Sequence, residues 1–335
     1  MNRIISKLIT IWVQIRDLYL YVVRRAIVVN GYVDDHTWKG IRHRNWGDDL
    51  NYYFLKELTG RPIVFYNNFK LAKWLRFKNY LCIGTLLDGS AYKNEATIVW
   101  GSGASGENRG LSRPCIILSV RGQLTLDYLK KHSIISPESF GDPALLLPRV
   151  YQPERRAGDK FQVLSVASLG ESEQSSNSSF KFQVSSSKVQ SSKYKLGIIP
   201  HVVDQQHPVI QEIWQKYADE ILIIDLAHYE HWTDVIDQIC SCERILSSSL
   251  HGIIVSDAYQ VPNCWIELTG NISGGHFKYL DYAASVGRTF DKPIKVNSVE
   301  ELESLDVECA SSQTISALQE GLLKTCPFKV LCLRF

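Results

Sequence analysis

Apolar and polar positions along this chain fall into short blocks that switch between two periods. Runs rich in β-branched and large apolar residues, at 26–33, 80–87, 97–100, 115–120, 196–199 and 221–226, have the length of buried strands. Between them apolar positions recur at three- and four-residue intervals. Leu50, Tyr53, Phe54, Leu55 and Leu58 predict one helix, and a second runs from Gln123 to about His132. Val209, Ile210, Ile213, Trp214 and Tyr217 predict a third, and Val235, Ile236, Ile239 and Cys240 a fourth. The stretch 244–268 holds the densest pattern: a strand at 244–246, the turn Ser247-Ser248-Ser249, a helix at 251–259 and a strand at 263–268. The three serines offer N-cap hydroxyls, while Ile253, Ile254 and Ala258 supply the buried helical face. This repeated order predicts an α/β protein with two doubly wound parallel sheets.

The blocks also set the domain boundaries. A first domain is expected over 26–164 and a second over 194–298, with an amphipathic helical segment at 299–335. Between the domains, 165–193 is rich in serine with Gln, Asn, Glu and Lys, and reads as a flexible insertion. Residues 1–25 predict a helix whose apolar run is broken by Lys7, Arg16 and Asp17, a poor membrane span. No small-residue cleavage site follows it. Two readings stand for it: a helix packed on the body, or one lying on a membrane surface through Arg3, Lys7, Arg16, Arg24 and Arg25.

Composition narrows the class. At 335 residues, 45% hydrophobic and 21% charged, the chain is globular and long enough for two domains. A net charge of +2 gives no reason to expect nucleic acid. The eight cysteines lack metal-ligand spacing, so no metal is expected, and reduced thiols in a cytoplasmic protein are. There the sequon at Asn177 would go unused.

Candidate chemistry gathers at the predicted strand exits, where open parallel sheets bind ligands. His251 stands at a helix mouth, where free amides and the positive dipole end receive an anion beside a titratable ring; a plain cap is the simpler alternative. Arg121 leaves the strand at 115–120, placed either as a surface residue or as a bidentate clamp on a carboxylate or phosphate. Asn45-Trp-Gly47-Asp48 combines cap residues with a glycine that admits a ligand close to the backbone. The loop 101–106 is rich in glycine but lacks the Gly-Lys-Ser/Thr ending of a P-loop. His201 and Asp204 follow another strand, and His276 and Lys278 open the helix after a Gly-Gly turn.

Taken together, the motifs Asn45-x-Gly47-Asp48, Trp100-Gly-Ser-Gly103, Ser119-Val-Arg121, Pro200-His201-x-x-Asp204, Ser248-Ser-Leu-His251-Gly and Phe277-Lys278-x-x-Asp281-Tyr282 resemble the polysaccharide pyruvyl transferases. The likeness runs from about Asn45 to Arg288, interrupted by the serine insertion; some family members carry arginine where this chain has Ser249. It implies two Rossmann-like domains facing a cleft, as in the GT-B architecture. It also implies transfer of the enolpyruvyl unit of phosphoenolpyruvate to a sugar as a pyruvate ketal, with phosphate released. The donor is a substrate and no cofactor is implied. On this reading His251 is the general acid/base, with Arg121, Ser249, Leu250 and Lys278 on the donor. Asn45, Gly47, Asp48, His201, Asp204 and His276 line the cleft on the acceptor side. The acceptor is a glycan, lipid-linked if residues 1–25 meet the inner face of a membrane. The alternative is a GT-B glycosyltransferase with a nucleotide-sugar donor.

Overall fold

The computed structural model describes residues 2–33, 36–37, 40–41, 45–88, 94–106, 116–153, 194–272 and 274–331. The expected insertion at 165–193, with its sequon, lies outside them, as does Cys115.

Among the described residues ten short strands form two sheets of five in which every neighbouring pair is parallel. The first sheet contains β1 (Ile27–Val29), β2 (Ile63–Phe65), β3 (Asn79–Leu81), β4 (Thr97–Trp100) and β5 (Ile116–Ser119), in the order β2-β1-β3-β4-β5. The second contains β6 (Leu196–Ile199), β7 (Ile221–Ile223), β8 (Ile245–Ser247), β9 (Asn263–Glu267) and β10 (Ile294–Lys295), in the order β7-β6-β8-β9-β10. The two orders are the same. In each the chain winds outward in both directions from its first strand, so each half has a switch point, between β1 and β3 and between β6 and β8. The carboxyl ends of those strands are where doubly wound sheets bind ligands.

The runs at 97–100 and 196–199 match their strands, but the strands at 26–33, 80–87, 115–120 and 221–226 are shorter than the apolar runs that predict them. At 221–226 only the first three residues pair, yet Ile224 and Leu226 remain buried in the loop beyond. A run of apolar residues records burial, and the ladder ends before the core does. Within the two five-stranded sheets, β2 and β10 have no counterpart in the sequence reading; they are three and two residues long.

Among the described residues ten helices connect or flank the sheets: α1 (Asn2–Val22), α2 (Trp46–Thr59), α3 (Lys70–Trp74), α4 (Gln123–Lys131), α5 (Leu147–Val150), α6 (Pro208–Lys216), α7 (Asp234–Cys240), α8 (Leu250–Ala258), α9 (Phe277–Val286) and α10 (Ser312–Lys324). Asn45 caps α2 by accepting the Gly47 N–H at 3.2 Å, and Gly60 ends it with φ +64°.

The halves do more than face one another. A continuous apolar cluster runs from Ile27, Phe54 and Trp100 in the first to Ile199, Ile253 and Tyr282 in the second. The buried 3-10 turn Pro143–Leu146 seats on α8, and α4 packs on α9. The last segment returns to the first half. Trp100 Nε1 donates to Leu322 O at 3.0 Å, Gln319 Nε2 to Leu145 O at 2.8 Å, and Leu331 N to Leu58 O at 2.9 Å.

Helix α1 is packed on one side only. Val13 and Asp17 are buried, Tyr21 stacks on Phe77 at 4.3 Å, and Gln14 Nε2 donates to Asn68 O at 2.6 Å. Among the described residues no helix is long and apolar enough to cross a membrane.

Candidate active site

The site is built on the turn between β8 and α8. The serines there do not cap the helix as their spacing suggests. Ser249 occupies the N-cap position with extended backbone, φ −100° and ψ 131°, but its side chain makes no capping bond. Its neighbours fasten the turn to the rest of the second half instead. Ser247 Oγ accepts the Ser249 N–H at 3.0 Å. Ser248 Oγ donates to Asp204 Oδ2 at 2.6 Å and accepts the His201 N–H at 2.9 Å. The Tyr279 hydroxyl donates to Ser248 O at 2.6 Å. One dipeptide thus ties the β6 exit, the mouth of α8 and the start of α9 together. The first-turn amides of Leu250, His251 and Gly252 have no acceptor within the helix and leave its mouth receptive to an anion.

His251, the second residue of α8, is 9% exposed, and its Nε2 is buried without a hydrogen-bond partner. Burial pushes its pKa down to about 3, helped by the charges of Lys278, Arg121 and His201. His201 is lowered to about 4, chiefly by burial and then by Lys278, with Asp204 opposing. Lys278 is lowered to about 8 by burial and by Arg121, with Asp48 opposing. His251, His201, Lys278 and Arg121, drawn from four separate elements, therefore act on one another electrostatically, with Asp48 as a counter-charge.

The first half delivers Asp48 and Gly47 by planting the mouth of α2 in the second. Trp46 N donates to Leu226 O at 2.8 Å and Trp46 Nε1 to Trp232 O at 2.7 Å, while the Tyr229 hydroxyl donates to Asp49 Oδ2 at 2.6 Å. Gly47 then lies against the His251 ring. Asn45 Nδ2 donates to Asp48 Oδ2 at 3.0 Å.

Arg121 sits differently from the clamp expected of it. It is fully buried, and three of its five N–H donors are already spent. Nε donates to Asp281 Oδ2 at 2.9 Å, Nη1 to Thr85 Oγ1 at 2.8 Å and Nη2 to Ala104 O at 2.9 Å. Asp281 also accepts from Thr125 N at 2.8 Å and Thr125 Oγ1 at 2.7 Å. Arg121 is thus a fixed charge behind the site and one side of a buried ion pair joining the halves. Gly103 makes room for it, since a Cβ there would fall 2.2 Å from Arg121 Cζ.

Two other sequence candidates stand apart from the cluster. Asp204 is fully buried and holds the Ser248 and Thr269 hydroxyls, a staple instead of a cleft-lining acid. His276 is half exposed, turns Nε2 to Glu267 Oε1 at 3.1 Å, and meets the edge of Trp265. Two residues were missed. Asp281 lies inside a quoted motif but received no role. Asp142 is buried, caps the 3-10 turn through Ala144 N at 3.0 Å, and has its pKa raised to about 6 by burial. Among the described residues no group of three His, Cys, Asp or Glu stands ready to hold a metal ion.

The model of the family described as polysaccharide pyruvyl transferase matches residues 12–269, an interval that holds β1 to β9, Arg121, His201 and His251. The chain belongs to this family. As a polysaccharide pyruvyl transferase it is an enzyme, a transferase of pyruvyl groups in polysaccharide biosynthesis. It is similar to an uncharacterized protein of Acanthamoeba polyphaga mimivirus, 24% identical over 269 residues that cover 79% of this chain and 76% of the relative. It is also similar to the succinoglycan biosynthesis protein ExoV of Rhizobium meliloti (strain 1021), 30% identical over 97 residues, 29% of each chain. No solved structure matches this pyruvyl transferase.

Proposed function

We propose that this pyruvyl transferase uses phosphoenolpyruvate as its donor and builds a pyruvate ketal on a sugar of a polysaccharide or its precursor. The observation that carries the reading is the convergence of Lys278, His201 and the buried charge of Arg121 on one unpartnered imidazole, His251, at a helix mouth. A small donor with a carboxylate and a phosphate matches the charges of Lys278 and Arg121, since His201 is neutral above about pH 4, and the amides of Leu250, His251 and Gly252 suit one of the two anionic groups.

The proton inventory of the reaction fits this imidazole. The first sugar hydroxyl bonds to the donor's C2, and its proton ends on the methylene carbon, which becomes a methyl group. The second hydroxyl bonds to the same C2 as the C–O bond to phosphate breaks, and its proton leaves with the phosphate. With its pKa held at about 3, His251 begins neutral. It first takes the hydroxyl proton and then gives it up, so it works as base before acid. A bound donor offsets the cations that hold the ring neutral, which raises its proton affinity when a proton is in transit. Lys278 holds the donor directly, while Arg121 stabilises charge from behind. Asn45, Gly47 and Asp48 border the acceptor side.

The reaction is assigned to the cytoplasm, on the scattered cysteines of the sequence. The test is incubation with phosphoenolpyruvate and a panel of glycans, following phosphate release and product mass. Phosphate released together with a glycan heavier by one ketal supports the reading. Thermal stabilisation by a uridine- or guanosine-diphosphate sugar, and none by phosphoenolpyruvate, overturns it.

A further inference from the structure

Helix α1 carries an apolar stripe on the side turned away from the protein. Leu8, Ile11, Trp12, Ile15, Tyr19 and Val22 recur at helical spacing, and every one is exposed, from 49% at Trp12 to 65% at Val22. The opposite side is the one fixed to the body through Val13, Asp17, Tyr21 and the Gln14–Asn68 bond. The stripe therefore cannot turn inward without undocking the helix. Contiguous exposed apolar surface of this kind marks a place where something binds.

The charge around the stripe says what binds. On the helical wheel Lys7 and Arg16 flank it on either side, and Arg16 lies over the Trp12 ring at 5.2 Å. Lys7, Arg24 and Arg25 are exposed. Helix α3 packs against α1 and opens a second basic stretch, residues 66–78, with Lys70, Lys73, Arg76 and Lys78 and no acidic residue. It too ends in exposed apolar groups, Trp74 at 78% and Leu75 at 47%. Residues 1–25 and 66–78 together hold nine basic residues against Asp17, in a chain whose net charge is only +2. Asp17 is buried against Arg16, and Arg76 is paired with Glu95. The positive charge of the protein is thus gathered beside its exposed apolar stripe, and the remainder of the chain is net acidic.

We propose that α1, with the basic segment beside it, docks on an anionic lipid bilayer, lying in the interface without crossing it. Leu8, Ile11, Ile15 and Val22 enter the acyl boundary, Trp12 and Tyr19 sit at headgroup depth, and the flanking cations reach the lipid phosphates. The attraction of these basic residues to the anionic headgroups is screened by salt, so the attachment is reversible and salt-sensitive. A glycan acceptor carried on a membrane lipid would then be met at the surface where the enzyme lies. The docking itself does not depend on which donor the site uses.

The experiment is co-sedimentation of the full chain with vesicles of phosphatidylcholine alone and of phosphatidylcholine with phosphatidylserine, at low and high salt. Binding to the anionic vesicles, weakened at least about tenfold without phosphatidylserine and again by high salt, is the expected result. Ile15→Ser with Tyr19→Ser, both on the exposed side, lowers partitioning at least about tenfold with the melting temperature unchanged. Arg24→Glu with Arg25→Glu lowers it while leaving the stripe intact. Equal binding to both vesicle types, or none to either, overturns the proposal. So does a concentration-dependent dimer that the Ile15 and Tyr19 substitutions dissolve, because the stripe would then be covered by a second copy of the chain.

Discussion

Gly47 and His251 stand against each other across the junction of the two halves: a Cβ added to Gly47 would fall 1.8 Å from His251 Nδ1. A backbone turn of the first half therefore holds the central ring of the second. No side chain fits between them, and Trp46 pins the turn in place through its bonds to Leu226 and Trp232.

Gly47→Ala consequently pushes the imidazole out of position or forces the mouth of α2 away. A displacement of about 1 Å near reacting atoms costs on the order of 10²-fold in rate. Pyruvyl transfer should fall by about that factor, with circular dichroism unchanged. A Gly47→Ala enzyme turning over at the wild-type rate would show that the ring is not held there for the chemistry.

The same residues show how far the sequence can be read. The periods in the chain identify most strands and helices, and the Ser248 to His251 motif and Lys278 fall together in one corner of the second half. The pairing of Arg121 with Asp281 was not legible, because 160 residues separate partners that meet only when α4 packs on α9. Asp204 looks like a cleft acid from its place after a strand, and only tertiary contacts reveal that two hydroxyls occupy it. The serine turn reads as a cap because local pattern cannot know that Asp204, 44 residues away, takes the Ser248 hydroxyl. Local rules find the elements, while contacts between elements decide which polar groups stay open.

His251→Ala should lower transfer by roughly 10²–10⁴-fold with the fold retained, since it removes the proton carrier. It should also change acid stability. The folded pKa of about 3 lies below the 6.5 of an unperturbed histidine, so the unfolded chain binds more protons between those values. Stability contributed by the neutral ring is present above about pH 6.5 and is lost as pH falls toward 3. Unfolding midpoints across that window should fall less steeply in the variant. His201, lowered to about 4, keeps part of the slope.

Lys278 governs the alkaline side. With a pKa near 8 it sheds its charge just above neutrality, so KM for phosphoenolpyruvate should rise as pH passes 8 while the protein stays folded. Lys278→Met should raise that KM at pH 7 by about tenfold or more and remove the alkaline rise, consistent with loss of one charge-assisted bond. Lys278→Arg should hold KM flat to higher pH. An alkaline rise that persists in Lys278→Met assigns the titration to another group.

The Arg121–Asp281 pair is a claim about stability as much as catalysis. Asp281→Asn leaves a fully buried guanidinium without its counter-charge, which costs about 3–5 kcal/mol. Arg121→Met strands the carboxylate in the same way. Combining the two should destabilise less than the sum of the single changes, because neither charge remains to be stranded. Denaturant midpoints of the four proteins give the coupling directly, and strict additivity would mean that the two side chains do not rely on each other.

Asp142 provides the opposite test of the same electrostatics. Burial raises its pKa to about 6, above the 3.8 of a free carboxyl, so the folded protein binds the extra proton between those values. Its contribution to stability is full below about pH 3.8 and is lost as pH rises through 6, the reverse of the histidines. Asp142→Asn keeps an acceptor for Ala144 N and the cap on the 3-10 turn, but has no charge to bury. The variant should match the wild type near pH 4 and exceed it at pH 8, by about 1 kcal/mol or more. Arg121 limits the gain, because its charge favours the ionised carboxylate, whereas Asp281 opposes it. A variant less stable than the wild type at pH 8 would mean that the Asp142 carboxylate is needed in its ionised form, as a third member of the Arg121–Asp281 group.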